Sequence, residues 1–82
     1  MMQMAEQPIG ETFTSNLEIC YEVLLYLASR MARLPDGEAL EYISGDPDAA
    51  AKISAWCDAR AFTLTCCERL PDDRWRFVIE KG

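Results

Sequence analysis

Histidine is absent from this 82-residue chain, and basic residues are few. The chain has 8 Lys and Arg against 14 Asp and Glu, for a formal net charge of −6. Without histidine it lacks the commonest general base and the commonest metal ligand. An acidic surface repels phosphate backbones, so we expect no direct nucleic-acid partner. Any chemistry must therefore rest on cysteine or carboxylate groups.

Long apolar runs are also missing, although half of the residues are hydrophobic. No stretch approaches the roughly 20 apolar residues of a membrane-spanning helix, and the first residues, MMQMAEQPIGE, lack the basic and apolar regions of an export signal. We therefore expect a cytoplasmic protein without membrane association, whose four cysteines are thiols. The cysteines have no C-x-x-C spacing, so a zinc site is not expected.

Alternating apolar residues and turn residues predict six elements in the order β-α-β-α-β-β. We expect one domain at residues 9–82, preceded by a loosely held, flexible segment at 1–8. The predicted strands cover 9–14, 38–44, 61–67 and 74–80, and the predicted helices cover 17–34 and 47–60. The second strand has apolar residues on both faces, which predicts a central position, and the last two strands predict a hairpin. The fold class is then α/β: a two-layer sandwich of a mixed four-stranded sheet with two helices on one face.

The stretch LEICYEVLLYLASRMARL, residues 17–34, predicts an amphipathic first helix. Its apolar residues recur in steps of three and four and define one buried stripe: Leu17, Cys20, Tyr21, Leu24, Leu27, Ala28, Met31 and Leu34. Cys20 lies at or near the first turn. A thiol at a helix N-terminus meets unpaired N–H groups and the positive end of the helix dipole, which stabilise a thiolate. Cys20 is therefore the candidate nucleophile.

A second interpretation makes Cys20 a small core residue. The segment SNLE, residues 15–18, fits an S-x-x-E capping box, which would start the helix near Asn16 and place Cys20 more than a turn inside it. The carboxylates of Glu18 and Glu22 would also disfavour a thiolate beside them. The residues alone leave both interpretations open.

The remaining cysteines and acidic residues have structural explanations. Asp46 and Pro47 fit the N-cap and first position of the second helix. The predicted buried side of that helix is Ala50, Ile53, Ala55, Trp56 and Cys57. Cys66 and Cys67 are strand neighbours that point to opposite faces, with Cys66 on the face of Phe62 and Leu64. An acidic cluster forms either a solvated face or a docking surface for a basic partner: Glu38, Glu41, Asp46 and Asp48.

The chain resembles the TusA/SirA-like sulfur-carrier family over about residues 13–81. The most specific part is GEALEYISGDPDAAAKISAWC, residues 37–57, which is similar to the family's turn, strand, DDP helix start and IPAWC helix end. The C-terminal CCERLPDDRWRFVIEKG is similar to its final hairpin. The resemblance supports the two-layer fold predicted from the residues.

The family's functional motif is Cys-Pro-x-Pro at the start of the first helix. The aligned residues are Cys20, Tyr21, Glu22 and Val23, so the cysteine is kept and both prolines are replaced. The glycine that usually precedes the cysteine is here Leu17, and the Gly-His pair that usually follows the second helix is Ala61-Phe62. The chain is thus similar to a diverged member.

The resemblance implies a sulfurtransferase-like sulfur carrier. Cys20 would accept sulfur from the persulfide of a donor protein, a cysteine desulfurase or a rhodanese-like protein, and pass it to an acceptor protein. No cofactor is implied beyond the transient cysteine persulfide. The replaced prolines leave an alternative, a non-catalytic protein-interaction or regulatory module with the same fold.

Overall fold

The computed structural model describes residues 9–81, so the segment predicted at 1–8 lies outside the described residues. The elements are β1 (Ile9–Ser15), α1 (Tyr21–Arg33), β2 (Ala39–Ser44), α2 (Ala49–Arg60), β3 (Thr63–Arg69) and β4 (Trp75–Glu80). The predicted order β-α-β-α-β-β and the predicted fold class are confirmed.

The sheet has the strand order β1-β2-β4-β3. β1 and β2 are parallel and are connected through α1, whereas β4 is antiparallel to both β2 and β3. β2 is therefore a central strand, and β3 and β4 form a hairpin, as predicted. Because β1 and β2 are parallel, both strands end at the same edge of the sheet, and the chain enters α1 and α2 from that edge.

One core lies between the two helices and one face of the sheet. Phe13, Tyr42 and Phe77, from three adjacent strands, have ring centroids 5.4 and 6.0 Å apart. The helical residues that complete this core are Val23, Leu27 and Met31 of α1 and Ala49, Ile53, Trp56 and Cys57 of α2. Fully burying one large apolar side chain contributes roughly 1.5–3 kcal/mol to the free energy of unfolding. The packing of the two helices on the sheet is therefore the main source of stability.

The opposite face of the sheet carries a polar network around Arg76 of β4. Its guanidinium donates hydrogen bonds to Glu41 of β2, to Glu68 at 3.1 Å and to the sulfur of Cys66 at 3.3 Å. The pKa of Glu41 is lowered by the hydrogen bond from Arg76, which outweighs the effect of burial. These residues stabilise the strand pairing and lie on the face that the helices leave uncovered.

Helix α1 begins later than predicted, at Tyr21 instead of Leu17. The predicted stripe is therefore wrong for Leu17, Cys20 and Tyr21, which are exposed. The observed buried face runs through Ile19, Val23, Leu27, Met31 and Leu34. Both stripes have steps of three and four and share Leu27, Met31 and Leu34, so periodicity alone did not distinguish them.

Helix α2 also starts later than predicted, at Ala49, and Asp48 is its N-cap in place of Asp46. Ala55 is exposed, which corrects its predicted place on the buried side, whereas the predicted end at Arg60 is confirmed. Ala61 follows in the left-handed conformation, with φ of 61°, and the amide of Phe62 donates to the carbonyl of Cys57 at 3.0 Å. Because Ala61 and Phe62 form this helix end, β3 covers residues 63–69 instead of the predicted 61–67.

Candidate functional site

Cys20 is the N-cap residue of α1. Its backbone is extended, with φ of −124° and ψ of −178°, and its carbonyl accepts the first helical hydrogen bond, from the amide of Leu24 at 3.0 Å. Its side chain makes no capping hydrogen bond and is exposed. The thiol therefore lies at the end of the helix where the first backbone N–H groups have no intrahelical acceptor. The prediction that Cys20 lies at or near the first turn is confirmed.

The capping box predicted at residues 15–18 is wrong. Ser15 is the last residue of β1, and its hydroxyl accepts a hydrogen bond from the amide of Leu17 at 3.0 Å. Its carbonyl accepts a hydrogen bond from the amide of Gly45, also at 3.0 Å. Ser15 is held in the sheet and by its hydrogen bonds with Leu17 and Gly45. It therefore cannot serve as the N-cap of a helix that begins at Asn16.

Asp46 holds the loop that precedes Cys20. Its Oδ2 accepts a hydrogen bond from the amide of Ile19 at 2.8 Å, and its Oδ1 accepts one from the amide of Asp48 at 2.8 Å. Only 3% of the Asp46 side chain is exposed. The side chain of Ile19 is buried in the core, so the residue before Cys20 is fixed by both its backbone and its side chain. One buried carboxylate thus connects the starts of α1 and α2.

Lys52 neutralises this buried carboxylate. Its ammonium lies 2.8 Å from Oδ2 of Asp46 and 3.6 Å from the carboxylate of Glu18. Burial alone would raise the pKa of Asp46, but hydrogen bonds from Lys52 and from the amides of Ile19 and Asp48 outweigh it and hold that pKa below its usual range. The hydrogen bond to Asp46 in turn raises the pKa of Lys52. Asp46 and Lys52 are therefore both charged at neutral pH.

An open groove of about 490 Å³ lies beside the Cys20 thiol, between the first turn of α1 and the middle of α2. The side chains that line it include Cys20, Tyr21, Leu24, Lys52, Ala55 and Trp56. Most of these side chains are apolar, and Tyr21 is 74% exposed. The thiol is therefore accessible at the edge of an apolar surface.

The other three cysteines lie in different surroundings. Cys57 is buried in α2, and burial raises its pKa to about 11, so it is a packing residue as expected. Cys66 pairs with Val78 and Cys67 with Phe77, so they point to opposite faces as predicted. A bulge between Leu64 and Cys66 shifts the register. Cys66 therefore lies on the uncovered face, which corrects its predicted place beside Leu64.

The predicted acidic cluster does not form one surface. Asp46 is buried, whereas Glu41 lies on the uncovered face of the sheet and accepts hydrogen bonds from Arg76 and Thr12. Within residues 9–81, no three Cys, Asp or Glu side chains are grouped so that they could hold a metal ion. In the same range, neither helix has the length and apolar character needed to cross a membrane.

Asp46 and Lys52 are the site residues that sequence reasoning missed. The local sequence predicts only that Asp46 lies at the start of α2, and nothing in it shows that the carboxylate reaches the amide of Ile19, 27 residues earlier. A signal was available in Ile19 itself, because it starts an alternative apolar stripe in steps of four through Val23, Leu27 and Met31.

The family model described as Sulfurtransferase TusA matches residues 17–81. This match covers most of the chain and begins just before the cysteine of the motif, so the chain belongs to the TusA sulfurtransferase family. The resemblance predicted from the sequence is thereby confirmed. No curated protein matches the chain. Within the family's motif, the exposed residue Tyr21 directly follows Cys20 at the position of the first proline.

Proposed function

We propose that this protein is a sulfur carrier that holds a persulfide sulfur on Cys20. The observation that carries the proposal is the position of this thiol: it is exposed, at the N-cap of α1, beside an open groove. Family membership supports the same chemistry. The chain offers no histidine as general base, and attack on a persulfide by a thiolate needs none.

The proposed reaction is a thiolate exchange at sulfur. The Cys20 thiol gives its proton to solvent, and the thiolate attacks the outer sulfur of the donor protein's cysteine persulfide. A sulfur–sulfur bond forms on Cys20, the sulfur–sulfur bond of the donor breaks, and the donor cysteine leaves as a thiolate. An acceptor thiolate then attacks the outer sulfur on Cys20 in the same way. No electrons are gained or lost overall, so the transfer requires no cofactor.

The contact between Asp46 and Ile19 supports the proposal in the absence of the two motif prolines. Proline at the first turn favours a helix start at that point. Here the hydrogen bond from the Ile19 amide to Asp46 and the burial of the Ile19 side chain fix the residue before Cys20 instead. The thiol therefore stays at the helix terminus, where it can meet a partner protein.

The partners of this proposal are two proteins in the cytoplasm. The donor is a cysteine desulfurase or a rhodanese-like protein, and the acceptor is a protein with a reactive thiol. Each partner must bring a sulfur atom to the Cys20 thiol, and the open groove leaves room for that approach. Neither reaction involves nucleic acid or a membrane directly.

The proposal is tested by incubating the full chain with a cysteine desulfurase and cysteine and measuring the intact mass. We expect a gain of one sulfur, about 32 Da, on the wild type and no gain on Cys20→Ser. Cys67→Ser is the matched control because Cys67 is also exposed, and it should gain the sulfur as the wild type does. A gain that persists in Cys20→Ser, or no gain on the wild type with either class of donor, would refute the proposal.

The alternative function, a non-catalytic interaction module, is favoured by one observation. Leu17 and Tyr21 are 68% and 74% exposed at positions where the family pattern has glycine and proline. Exposed apolar side chains of this kind are typical of binding surfaces. The alternative predicts that Cys20→Ala leaves the cellular function unchanged, whereas the sulfur-carrier proposal predicts its loss.

A further inference from the structure

We propose, resting on the sulfur-carrier function, that the groove beside Cys20 docks one kind of partner segment: an exposed apolar side chain flanked by lysine or arginine. The segment would lie next to the partner's own reactive cysteine. Two features of the groove support this choice, its apolar floor and its acidic rim.

The floor presents apolar surface beside the thiol, contributed by both helices. Tyr21 and Leu24 contribute from α1, and Ala55 and Trp56 contribute from α2. Tyr21 is three-quarters exposed, and covering its aromatic ring with apolar surface would be energetically favourable. An apolar side chain seated here would cover Tyr21 and would come within reach of the Cys20 thiol.

The rim is acidic. Glu18 has 83% of its side chain exposed and lies 3.6 Å from the ammonium of Lys52, which lines the groove. The exposed Asp48 also acts on the charge of Lys52, and the exposed Glu22 lies in the first turn of α1 beside Tyr21. Lys52 is the one cationic side chain that lines the groove in the described part of the chain, and Asp46 and Glu18 both lie within 4 Å of its ammonium. The charge near the groove is therefore negative overall, and it complements lysine or arginine on a partner.

The same charges argue against a second copy of this chain as the occupant. Each copy of the chain has a formal net charge of −6, and pairing two copies through the groove would bring their acidic rims together. Like charges that face each other across an interface weaken association. A partner with basic residues around an apolar contact avoids that repulsion and still covers the floor.

A model reaction can measure this preference directly. The probes are synthetic peptides of equal length with one cysteine, activated as a mixed disulfide with thionitrobenzoate. The Cys20 thiolate attacks the peptide sulfur, the peptide–thionitrobenzoate bond breaks, and the coloured thionitrobenzoate anion leaves with the electron pair. The reaction is run on a Cys66→Ser/Cys67→Ser background, which removes the exposed Cys67 and the half-buried Cys66.

Three peptides separate the two features. The first has leucine and tryptophan flanked by lysines, the second has the same apolar residues flanked by glutamates, and the third has lysines with serine in place of the apolar residues. We expect the first to react about tenfold faster than the second at low salt. This difference should fall to about twofold in 1 M salt, where the Debye length is about 3 Å. We expect the third to react about threefold slower than the first.

Matched variants then assign the effect to the groove. Glu18→Gln/Glu22→Gln should remove most of the preference for lysine, whereas Asp36→Asn/Glu38→Gln, in the connection between α1 and β2, removes the same charge elsewhere and should keep it. Asp36 follows the far end of α1, about 20 Å from Cys20 for a helix of 13 residues. Ala55→Arg should slow the first peptide at least fivefold, and Ala59→Arg, one turn along α2 and also exposed, should not.

Equal rates for all three peptides, or equal effects of the paired variants, would overturn the docking proposal. So would dimerisation of the chain through this groove, detected as a wild-type sedimentation shift that Ala55→Arg abolishes and Ala59→Arg keeps. These outcomes are separate from the test of the proposed function. If Cys20 accepts sulfur from a desulfurase but shows no peptide preference, only the docking surface is wrong.

Discussion

Cys20 and Cys57 are the same residue in opposite surroundings. Cys20 is an exposed N-cap with an extended backbone, and Cys57 is 2% exposed in the last turn of α2, where burial raises its pKa to about 11. Cys20 precedes α1 and Cys57 lies near the end of α2, and the sequence pattern places both on apolar stripes. The two thiols differ in exposure because different contacts hold the backbone beside each of them.

The environment of Cys20 is set by contacts that are distant in sequence. Asp46 binds the amide of Ile19, and the Ile19 side chain anchors the loop in the core. Cys57 needs no such contact, because it lies on the face of α2 that carries Ile53 and Trp56. A thiol kept available for transfer therefore depends on a tertiary contact, whereas a packing thiol depends on helical periodicity.

The largest expected effect is the difference in reactivity between these two thiols. At pH 7.5, a thiol with a pKa of about 11 is ionised in roughly one molecule in three thousand. Cys57 is also enclosed, so we expect iodoacetamide to modify Cys20 at least 100-fold faster. Peptide mapping by mass spectrometry at timed intervals measures both rates in one sample. Comparable rates would show that Cys20 is as enclosed as Cys57.

The contact that separates the two environments is tested by Asp46→Asn. The substitution removes the charge that pairs with Lys52 and sets an amide group against buried donors, so we expect a loss of about 2 kcal/mol in the free energy of unfolding. Asp48→Asn is the matched control because the exposed side chain of Asp48 makes no capping bond, and it should cost less than about 0.5 kcal/mol. Urea unfolding measures both; equal losses would contradict the assigned role of Asp46.

The same pair of residues predicts a pH dependence. The folded-state pKa of Asp46 lies below the ordinary value of an aspartate, so its contribution is complete above the unfolded-state pKa and is lost as the pH falls through the lower folded-state pKa. The stability advantage of the wild type over Asp46→Asn should therefore be constant from about pH 7 to 5 and shrink below about pH 4. Urea unfolding across this range measures the difference. An advantage that grows on acidification would have the wrong sign.

Replacing each cysteine with alanine compares how much the two side chains contribute to the free energy of unfolding. Cys57→Ala leaves a small cavity in the core and should cost about 1 kcal/mol. Cys20→Ala removes an exposed side chain that makes no capping bond and should change the free energy of unfolding by less than about 0.5 kcal/mol. Thermal unfolding of the two variants measures the order. The reverse order would place Cys20 in the core.

The smallest effect is expected for Tyr42→Phe, in the core beneath the two helices. The hydroxyl of Tyr42 is buried and makes no hydrogen bond of normal geometry within the described residues; burial raises its pKa, and the neighbouring Ser44 side chain opposes that rise only in part. Removing an unpartnered polar atom should stabilise the protein by about 0.5 kcal/mol. Urea unfolding resolves a change of this size only with replicate measurements, and a clear loss of stability would indicate a hydrogen bond to this oxygen.

Much of the fold is predictable from local sequence patterns. Alternation gives the strands, the Pro35-Asp36-Gly37 turn ends the first helix region, and apolar residues on both faces of β2 give its central position. The start of α1 is different, because the segment at residues 15–18 also fits a capping box. Contacts distant in sequence decide that choice: the Ser15 carbonyl accepts a hydrogen bond from Gly45, and the Asp46 carboxylate accepts one from Ile19 across 27 residues. No local pattern encodes either contact. The groove is equally non-local, since Tyr21 and Ala55 meet only after folding.

The sulfur-carrier account is tested most directly by locating the transferred sulfur. After incubation with a cysteine desulfurase, persulfides are capped by alkylation and the chain is digested and sequenced by tandem mass spectrometry. We expect the extra sulfur on the peptide that contains Cys20 and none on the peptide that contains Cys57. Sulfur on Cys66 or Cys67 with Cys20 unmodified would contradict the account.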